Sequence, residues 1–280
     1  MIGSLGPAGS FTGFALDLYI KRYQLTDEVI YFDSFRQIFN ALSQKTINKV
    51  FIPIENSIGG DVFSVLNELI SLDFNYKITA EVQFPIIQSL LAKKNLDVKD
   101  IDTIYSHEQS FRQSNNFIEA NCVNAEFKYV ASNSKAAQSV SGFLDKNYAC
   151  IGHKRLADLY DLVVIKEDIA NEKGNKTRFV FISEETVSSS GNDKSSLIFS
   201  SHKDQPGSLV DILLELSKRN INLTRISSFP TRKMLGEYLF FIDFIGHCED
   251  VSIKECLDIL KSKCSYFKFL GSYPKGDTYA

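Results

Sequence analysis

Short apolar runs and helix-like periodicities alternate along the first two thirds of the chain. Residues 29–32 and 50–54 are apolar runs of strand length, and residues 11–23 carry apolar side chains at the spacing of an amphipathic helix. A second such helix is predicted over 35–42, with Ser34 as its N-terminal cap. Strands that alternate with helices are typical of βαβ units, so the pattern predicts an α/β fold with largely parallel sheets.

The alternation continues to about residue 182 and then stops. Further strands are predicted over 78–82, 86–91, 104–106, 127–130, 149–151, 162–166 and 177–182. Further helices are predicted over 109–120 and 134–144. Residues 183–194 are polar, small and without periodicity, as linkers are. We therefore predict a first unit over 1–185 and a linker over 186–194.

A different pattern follows the linker. The predicted strands are 197–200, 221–226, 237–244 and 266–270. The predicted helices are 207–219 and 251–260. The order strand, helix, two strands, helix, strand predicts a ferredoxin-like α+β unit over 195–280.

Composition and charge exclude several classes of function. Of the 280 residues 44% are hydrophobic, and the net charge is -3 with acidic and basic residues interleaved. No lysine- or arginine-rich run marks a nucleic-acid or membrane-surface contact, and no apolar run approaches the roughly 18–20 residues of a membrane span. The N-terminus lacks the basic start and the apolar stretch of a secretory signal, so we expect a cytoplasmic protein.

The five cysteines and four histidines give no sign of a metal site. The number of cysteines is odd, none forms a Cys-x-x-Cys pair, and the histidines stand at no metal-ligand spacing. We therefore expect reduced thiols and no bound metal.

Three predicted strand-to-helix turns are rich in Gly, Ser or Asn, namely residues 5–12, 53–62 and 131–137. The N-terminus of a helix presents unpaired N–H groups, which suit carboxylates and phosphates. The alternative is that Ser10, Ser57 and Ser134 only cap their helices, and the residues alone leave both interpretations open. Neither glycine-rich turn has the spacing of a nucleotide-binding loop.

A fourth polar segment, 174–179, begins the last strand before the linker. It places the Asn175 amide and the Thr177 hydroxyl beside the cations Lys176 and Arg178. Arg178 suits a bidentate pair with a carboxylate. The alternative interpretation is a charged rim at the edge of a strand.

Three of these segments resemble the signatures of the prephenate dehydratase family. They are Gly-Pro-Ala-Gly-Ser-Phe-Thr at 6–12, Pro-Ile-Glu-Asn-Ser-Ile-Gly-Gly at 53–60 and Asn-Lys-Thr-Arg-Phe at 175–179. Residues 106–109 resemble the family's Ser-His-Pro-Gln turn, and residues 132–137 resemble its Ser-Thr-Ala-x-Ala-Ala stretch. The resemblance runs from residue 3 to about 183. Residues 204–210 and 221–226 resemble parts of the ACT domain, an amino-acid-sensing module.

The resemblance implies a catalytic domain of two α/β lobes around a cleft, similar to type 2 periplasmic binding proteins. The implied reaction removes CO2 and hydroxide from prephenate and yields phenylpyruvate without a cofactor. By resemblance, Thr177 helps the hydroxyl leave, and Arg178 anchors a substrate carboxylate or holds the Thr177 loop. Further substrate contacts are implied for Ser10, Thr12, Asn56, Ser57, Ser132, Asn175 and Phe179. Glu55 either orients the Asn56 loop or is structural, and His107 is either a contact between lobes or structural.

The ACT resemblance implies control by an amino acid, with L-phenylalanine as the expected effector. The implied effector contacts are Gly207, Ser208, Leu209, Val210 and Phe229. The family's Glu-Ser-Arg-Pro motif is replaced by Ser-Ser-Phe-Pro at 227–230, which predicts weak, absent or altered inhibition by phenylalanine. ACT sheets commonly pair, so a homodimer or homotetramer is expected.

Two further departures from the family pattern leave the substrate open. The usual Leu-Pro-Ile-x-His reads Phe-Pro-Ile-Ile-Gln at 84–88, and Asn133 replaces a usual Thr. Both lie where the lobes are expected to meet, so prephenate and arogenate remain alternative substrates.

Two other classes of protein compete with the enzyme. A non-catalytic binding protein would use the same cleft for an amino acid or dicarboxylate, but the fused ACT domain and the absent signal argue against it. A regulatory protein with an inactive catalytic lobe is disfavoured by the intact Thr-Arg-Phe at 177–179.

Overall fold

The computed structural model describes residues 1–201, 205–230, 238–276 and 278. Asp204 and Glu237, where the ACT-like turn and one predicted strand begin, lie outside the described residues. Within the described ranges the chain forms two α/β lobes and a third α+β unit, which confirms the predicted fold class.

The first lobe combines the N-terminal segment with one strand that returns from the second lobe. Its strands are β1 (Ile2–Leu5), β2 (Val29–Phe32), β3 (Lys49–Asn56), β4 (Gly60–Asp61), β5 (Lys77–Pro85) and β11 (Lys176–Ser183). Its helices are α1 (Phe11–Tyr23), α2 (Phe35–Ser43) and α3 (Phe63–Ser71). The strand order is β2-β1-β3-β11-β5, with β4 paired to β3.

The second lobe is inserted between β5 and β11. Its strands are β6 (Ser89–Ala92), β7 (Thr103–Ser106), β8 (Glu126–Tyr129), β9 (Tyr148–Gly152) and β10 (Val163–Lys166), in the order β10-β6-β9-β7-β8. Its helices are α4 (Glu108–Arg112), α5 (Asn115–Asn121), α6 (Asn133–Ser141) and α7 (Leu156–Tyr160), with a 3-10 turn at Val98–Asp100. The single helix predicted over 109–120 is therefore wrong, because the chain breaks it between α4 and α5.

The prediction of largely parallel sheets is also wrong. Parallel pairing joins β1 to β2 and β3, and β7 to β8 and β9. However, β11 is antiparallel to both β3 and β5, and β6 is antiparallel to β9 and β10. In the first lobe the reason is that β11 returns only after the whole second lobe and enters the sheet between β3 and β5 in the opposite direction.

The third unit has the predicted ferredoxin-like order. Its strands are β12 (Asp193–Ser201), β13 (Leu223–Pro230), β14 (Tyr238–Ile245) and β15 (Cys264–Pro274), and its helices are α8 (Ser208–Ser217) and α9 (Val251–Lys263). The sheet order is β13-β14-β12-β15, with antiparallel neighbours throughout. Both helices pack on one face of this sheet.

The other face of that sheet packs against the first lobe and shares one apolar core with it. The approach is close at Gly271, where an added Cβ would lie 2.7 Å from the Ile78 carbonyl oxygen. The Lys268 ammonium, fully buried, donates to the Leu69 carbonyl at 2.6 Å, near the end of α3. The third unit is thus joined to the first lobe by packing and by hydrogen bonds. None of the helices among the described residues is long and apolar enough to span a bilayer.

Candidate active site

The side-chain amide of Asn56 joins the ends of β3 and β11. Its Nδ2 donates to Thr177 Oγ1 at 2.9 Å and to Asn175 Oδ1 at 2.7 Å. Its Oδ1 accepts from the backbone N–H groups of Ile58 and Gly59, at 3.1 and 2.7 Å. Because both ends of the amide are bonded, its orientation is fixed, and the turn between β3 and β4 is fixed with it.

Ser57 adds a second set of bonds between the same strand ends. Its hydroxyl donates to Asn175 Oδ1 at 3.3 Å and accepts from the Lys176 N–H at 2.9 Å. Its own N–H donates to the Lys176 carbonyl at 2.9 Å. Four predicted site residues, Asn56, Ser57, Asn175 and Thr177, therefore form one hydrogen-bonded cluster.

Thr177 accepts a hydrogen bond and keeps its own proton available. A hydroxyl carries one donor and two acceptor lone pairs. Among the described residues, the Thr177 hydroxyl accepts from Asn56 and donates to no protein group. The side chain is 8% exposed and, by the alternation of a strand, lies on the same face of β11 as Phe179 and Phe181, which pack with residues of the second lobe.

Phe179 lies on the same face of β11 but not at the surface of the cleft. Its ring is 1% exposed and stacks on Phe51 with centroids 5.1 Å apart. It belongs to the apolar core beneath the site. The structure therefore gives Phe179 a packing role under Thr177 in place of the predicted substrate contact.

Arg178 points to the opposite face of the strand. Its Nε donates to Glu81 at 2.7 Å and its Nη2 to the Tyr273 hydroxyl at 2.7 Å, while Nη1 bonds Asp243. Successive side chains of a strand alternate between faces, so Arg178 turns toward the third unit while Thr177 turns toward the cleft. An Arg178 that anchors a substrate carboxylate beside Thr177 does not fit this geometry. The other predicted role, holding the strand that carries Thr177, does.

The charges around Arg178 are buried and mutually paired. Burial alone would lower the pKa of Arg178, but Asp243, Tyr273 and Glu81 raise it well above its ordinary value. Burial opposes ionisation of Asp243, yet Arg178 and Arg225 hold the pKa of that carboxyl below its ordinary value. Arg178 and Asp243 are therefore both charged at neutral pH.

Sequence reasoning missed the partners of Arg178. Glu81 is fully buried and also accepts from Lys194 Nζ at 2.8 and 2.9 Å. Glu81 and Asp243 each interrupt an apolar strand, and a charge inside such a strand must be paired when it is buried. That signal was present in the sequence, but it does not say which cation is the partner.

Glu55 precedes Asn56 and faces the third unit. Its carboxylate lies 3.4 Å from Arg178 Nη1, and 37% of the side chain is exposed. It lies on the face of β3 opposite the Asn56 amide, since neighbouring residues of a strand alternate. It contacts no described member of the Thr177 cluster through its side chain.

Of the serines for which capping was the alternative, Ser10 caps its helix, whereas Ser57 and Ser134 do not. Ser10 Oγ accepts from Gly13 N–H at 3.1 Å at the start of α1, and Ser132 Oγ accepts from Lys135 N–H at 3.1 Å at the start of α6. Thr12 is buried in the first turn of α1. The capping interpretation therefore holds for Ser10, and it also describes Ser132.

Ser134 connects the two lobes. Its hydroxyl donates to the Ala8 carbonyl at 2.9 Å and lies 2.7 Å from the Tyr160 hydroxyl. His107 was considered as a contact between the lobes. Instead its Nδ1 accepts from the Gln109 N–H at the start of α4, and its backbone N–H donates to Asn133 Oδ1. Its hydrogen bonds to described residues stay within the second lobe.

His153 is a residue at the lobe junction that sequence reasoning missed. It follows β9 of the second lobe, yet its ring contacts Phe11, Phe14 and Phe84 of the first, with centroids 5.7, 5.0 and 5.6 Å apart. Burial, assisted by the Arg155 charge, lowers the pKa of His153 to about 4. The imidazole is therefore neutral at physiological pH. Its place after a strand was the only sequence signal.

Asn133 and Gln88, two residues that depart from the family pattern, both bond the Ser110 hydroxyl. Asn133 Nδ2 donates to Ser110 Oγ at 2.7 Å, and Gln88 Nε2 approaches the same oxygen at 3.2 Å. Gln88 is 1% exposed, and its Nε2 also donates to Gln113 Oε1 at 3.1 Å, while its Oε1 has no hydrogen-bond partner among the described residues. The two substitutions thus belong to one buried polar network.

The predicted effector residues lie on opposite faces of the third unit's sheet. Gly207 precedes α8 with a φ of 90°, and Ser208, Leu209 and Val210 form the first turn of that helix. Phe229 is 3% exposed and packs in the core shared with the first lobe. Phe229 and the Gly207–Val210 turn are therefore not brought together within one chain, and their shared contact with an effector stays a prediction. An apolar ring prefers the buried interface with the first lobe.

The fold and this polar cluster define a two-lobed α/β protein joined to a ferredoxin-like unit. The prephenate dehydratase family model matches residues 2–187, and the ACT domain model matches residues 195–261. The chain therefore belongs to the prephenate dehydratase family and carries an ACT domain.

Full-length relatives share this arrangement. The prephenate dehydratase of Methanocaldococcus jannaschii is 33% identical over 273 residues, which cover 97% of each chain. A bifunctional chorismate mutase/prephenate dehydratase of Pseudomonas aeruginosa is 33% identical over 274 residues, which cover 98% of this chain and 73% of that protein. The structure of prephenate dehydratase from Arthrobacter aurescens in complex with L-Phe aligns with a TM-score of 0.86 and 29% identity, over 98% of this chain and 90% of that one.

Proposed function

We propose that this chain converts prephenate to phenylpyruvate, CO2 and water, with Thr177 assisting the departure of the hydroxyl. The observation that carries the proposal is the cluster in which Asn56 bonds both Thr177 and Asn175 at the cleft. Membership in the prephenate dehydratase family and the names of the full-length relatives support the choice of substrate.

The reaction breaks two bonds and needs one proton. The bond between the ring and its carboxylate breaks, CO2 departs, and the electron pair of that bond enters the ring. The ring expels hydroxide from the opposite carbon, and the C–O electron pair leaves with the oxygen. Aromatisation drives both events, so the enzyme requires no electron sink. A proton or a strong hydrogen bond to the leaving oxygen completes the formation of water.

Thr177 is placed to supply that hydrogen bond. A threonine hydroxyl is a weak acid, so its contribution lies in position and polarity more than in full proton transfer. The hydrogen bond that Thr177 accepts from Asn56 polarises its O–H and strengthens it as a donor. Ser57 and Asn175 hold the strand end in register for this purpose.

The two substrate carboxylates require other partners, because Arg178 faces away. The starts of α1 and α6 meet where Ser134 bonds Ala8 across the lobes. Helix N-termini bind carboxylates through backbone N–H groups, and the hydroxyls of Ser10, Thr12 and Ser132 border these starts. We assign the carboxylates to these two helix starts.

The test is the formation of phenylpyruvate from prephenate by the purified full chain, with arogenate in a parallel assay. Turnover of prephenate supports the proposal, and turnover of arogenate alone would change the substrate but keep the reaction. Tight binding of either compound without turnover would instead favour the non-catalytic binding protein.

We also propose that the ACT domain responds weakly or not at all to L-phenylalanine. The solved relative from Arthrobacter aurescens holds L-Phe. In this chain Phe229 occupies the place of the family's usual arginine and is buried against the first lobe, so it offers no charge to an amino-acid carboxylate. Added L-phenylalanine should therefore leave prephenate turnover nearly unchanged. Strong inhibition at micromolar concentration would contradict this.

Paired ACT sheets would make the protein a homodimer or homotetramer. Val210 and Ile226, 57% and 44% exposed, are apolar groups available for such pairing. Sedimentation velocity of the full chain would distinguish either assembly from a monomer.

A further inference from the structure

The turn that carries Asn56 stands between two carboxylates. In the pairing of β3 with β4, Glu55 lies opposite Asp61 and Asn56 lies opposite Gly60. Glu55 and Asp61 therefore form the base of a hairpin whose tip contains Asn56 to Gly59. Any group that holds both carboxylates also sets the position of the Asn56 amide.

Arg225 of the third unit reaches both of these carboxylates. It lies on β13, and its Nη2 donates to Asp61 Oδ1 across 164 residues of sequence. Its Nε lies 3.7 Å from Glu55 Oε2. The guanidinium sits 4.4 Å over the ring of Phe241, and the side chain is 7% exposed. A buried, stacked arginine of the ACT domain thus bonds the hairpin at Asp61 and lies near Glu55, whose hydrogen bond comes from Arg178.

Two of the three guanidinium nitrogens of Arg225 lack a hydrogen-bond partner among the described residues. Arg225 Nε and Nη1 are buried and make no hydrogen bond to any residue the structure describes. Their nearest carboxylates, Glu55 and Asp243, are both at 3.7 Å, just beyond bonding distance. A buried donor without a partner costs free energy, so a small approach of the two units would be favourable.

A cavity of about 220 Å³ leaves room for that approach. Residues of both units line it, among them Glu55, Ser57, Lys176, Thr224 and Arg225. An anion site is the competing interpretation of this cavity. It is disfavoured because the cations at the cavity are matched in number by carboxylates. The four cations are Lys176, Arg178, Lys194 and Arg225, and the four carboxylates are Glu55, Glu81, Asp243 and Asp61.

We propose that Arg225 is a positioning residue for Thr177 and acts from the ACT domain through the β3–β4 hairpin. When Arg225 holds Glu55 and Asp61, the hairpin keeps Asn56 in reach of Thr177 Oγ1. When the ACT domain shifts and releases them, Asn56 moves and the Thr177 hydroxyl loses its donor. The inference rests on the proposed role of Thr177, and it names the route by which the state of the ACT domain reaches the reaction.

Steady-state kinetics of Arg225→Met in the full chain test this. The expected result is a fall in kcat of roughly 10- to 100-fold, in the range that misplacement of a reacting group by about 1 Å produces. KM should change much less, because the substrate carboxylates are bound elsewhere. Arg225→Lys keeps the charge over Phe241 and should recover part of kcat.

The matched control is Arg219→Met. Arg219 is also an ACT-domain arginine with a buried carboxylate partner, Glu215, but that pair lies within α8 and its end. This variant should leave kcat within about twofold of the wild-type value, since substitutions at distant sites that share no partners act independently. Equal loss of kcat in Arg219→Met and Arg225→Met would show a general weakening of the ACT domain and would overturn the proposal.

A double-mutant cycle with Asp61→Asn gives a second readout. If Arg225 acts through the hairpin, Asp61→Asn lowers kcat when Arg225 is present, has no further effect in Arg225→Met, and has a smaller effect in Arg225→Lys than with Arg225 itself. Multiplicative effects would contradict the proposal. If Arg225→Met fails to fold, the Lys variant and Asp61→Asn complete the cycle.

Amide hydrogen exchange separates this mechanism from a failure of the proposed function. Peptides covering 56–61 should exchange faster in Arg225→Met than in wild type or Arg219→Met, whatever the substrate. If the 56–61 peptides exchange at the same rate in all variants, and all variants turn over prephenate as the wild type does, the role of Arg225 is overturned and the proposed function is not. Absence of wild-type turnover would instead overturn the proposed function.

Discussion

At the scale of single residues, the Asn56 amide uses its two ends for different tasks. The Nδ2 end donates to Thr177 and Asn175, while the Oδ1 end accepts from the turn that follows. An aspartate would keep the acceptor and lose the donor. The two tasks can therefore be separated by one substitution.

We expect Asn56→Asp to keep the fold and to lower kcat by roughly 100-fold, the scale of one lost preorganised donor. The new carboxylate would also repel Asn175 Oδ1 and move it away from Ser57. Steady-state kinetics and circular dichroism check both parts. Asn121→Asp is the control, since Asn121 bonds only the Phe117 carbonyl of α5 among described residues. A kcat near that of the wild type would contradict the role of Asn56.

His153 predicts a pH dependence of stability. Its folded pKa of about 4 lies below the 6.5 of an ordinary histidine, because burial opposes the charged ring. The unfolded chain therefore binds the extra proton between these values. The neutral ring therefore contributes fully to the free energy of unfolding above about pH 6.5. This contribution is lost as the pH falls toward 4, by at most about 1.4 kcal/mol per pH unit.

Thermal unfolding of the wild type and His153→Gln between pH 4 and pH 7 measures this contribution. Glutamine does not titrate, so the difference in stability between the two proteins should change with pH over this window. A difference that stays constant from pH 4 to pH 7 would show that His153 does not titrate as its surroundings imply.

At the scale of elements, β11 carries the two functions of the site on its two faces. Thr177 and Phe179 face the second lobe, and Arg178 faces the third unit. Sequence periodicity predicted this strand and predicted α1 over 11–23 with the observed bounds, because both are local patterns. The pairing of β11 between β3 and β5 is not local, so the side to which Arg178 points could not be read from the sequence.

The difference between local patterns and non-local contacts also explains which site residues could be predicted from the sequence. Asn56, Ser57, Asn175 and Thr177 stand in recognisable motifs, and the structure brings them together. Residues such as Glu81 and Asp243 stand in apolar strands with no motif around them. Their importance comes from a contact between the first lobe and the third unit, which only the tertiary structure reveals.

We expect Glu81→Gln to destabilise the protein by about 3–5 kcal/mol, the usual effect of removing one partner from a buried ion pair. The change would leave Arg178 and Lys194 short of a counterion in a buried site. Urea unfolding followed by fluorescence measures the change. Glu184→Gln, in a surface pair with Lys45, is the control and should have little effect. Similar unfolding curves for both variants would refute the stabilising role of the buried pair.

At the scale of the whole molecule, the ACT domain is part of the support of the active site. Its sheet shares a core with the first lobe, and Asp243 bonds the arginine next to Thr177. Arg225 bonds Asp61 in the hairpin that also contains Asn56. Both strands that form the Thr177 cluster therefore contact the ACT domain on the side away from the cluster. By the proposal above, a change in the ACT domain reaches the reaction through these contacts.

The most direct test of this account compares Thr177→Ser and Thr177→Ala in the formation of phenylpyruvate from prephenate. Serine keeps the hydroxyl that Asn56 polarises, so its kcat should stay within about tenfold of the wild type. Alanine removes the donor, and its kcat should fall by roughly 100-fold or more. Comparable turnover by the alanine variant and the wild type would show that the Thr177 hydroxyl does not assist the reaction, and would contradict the account.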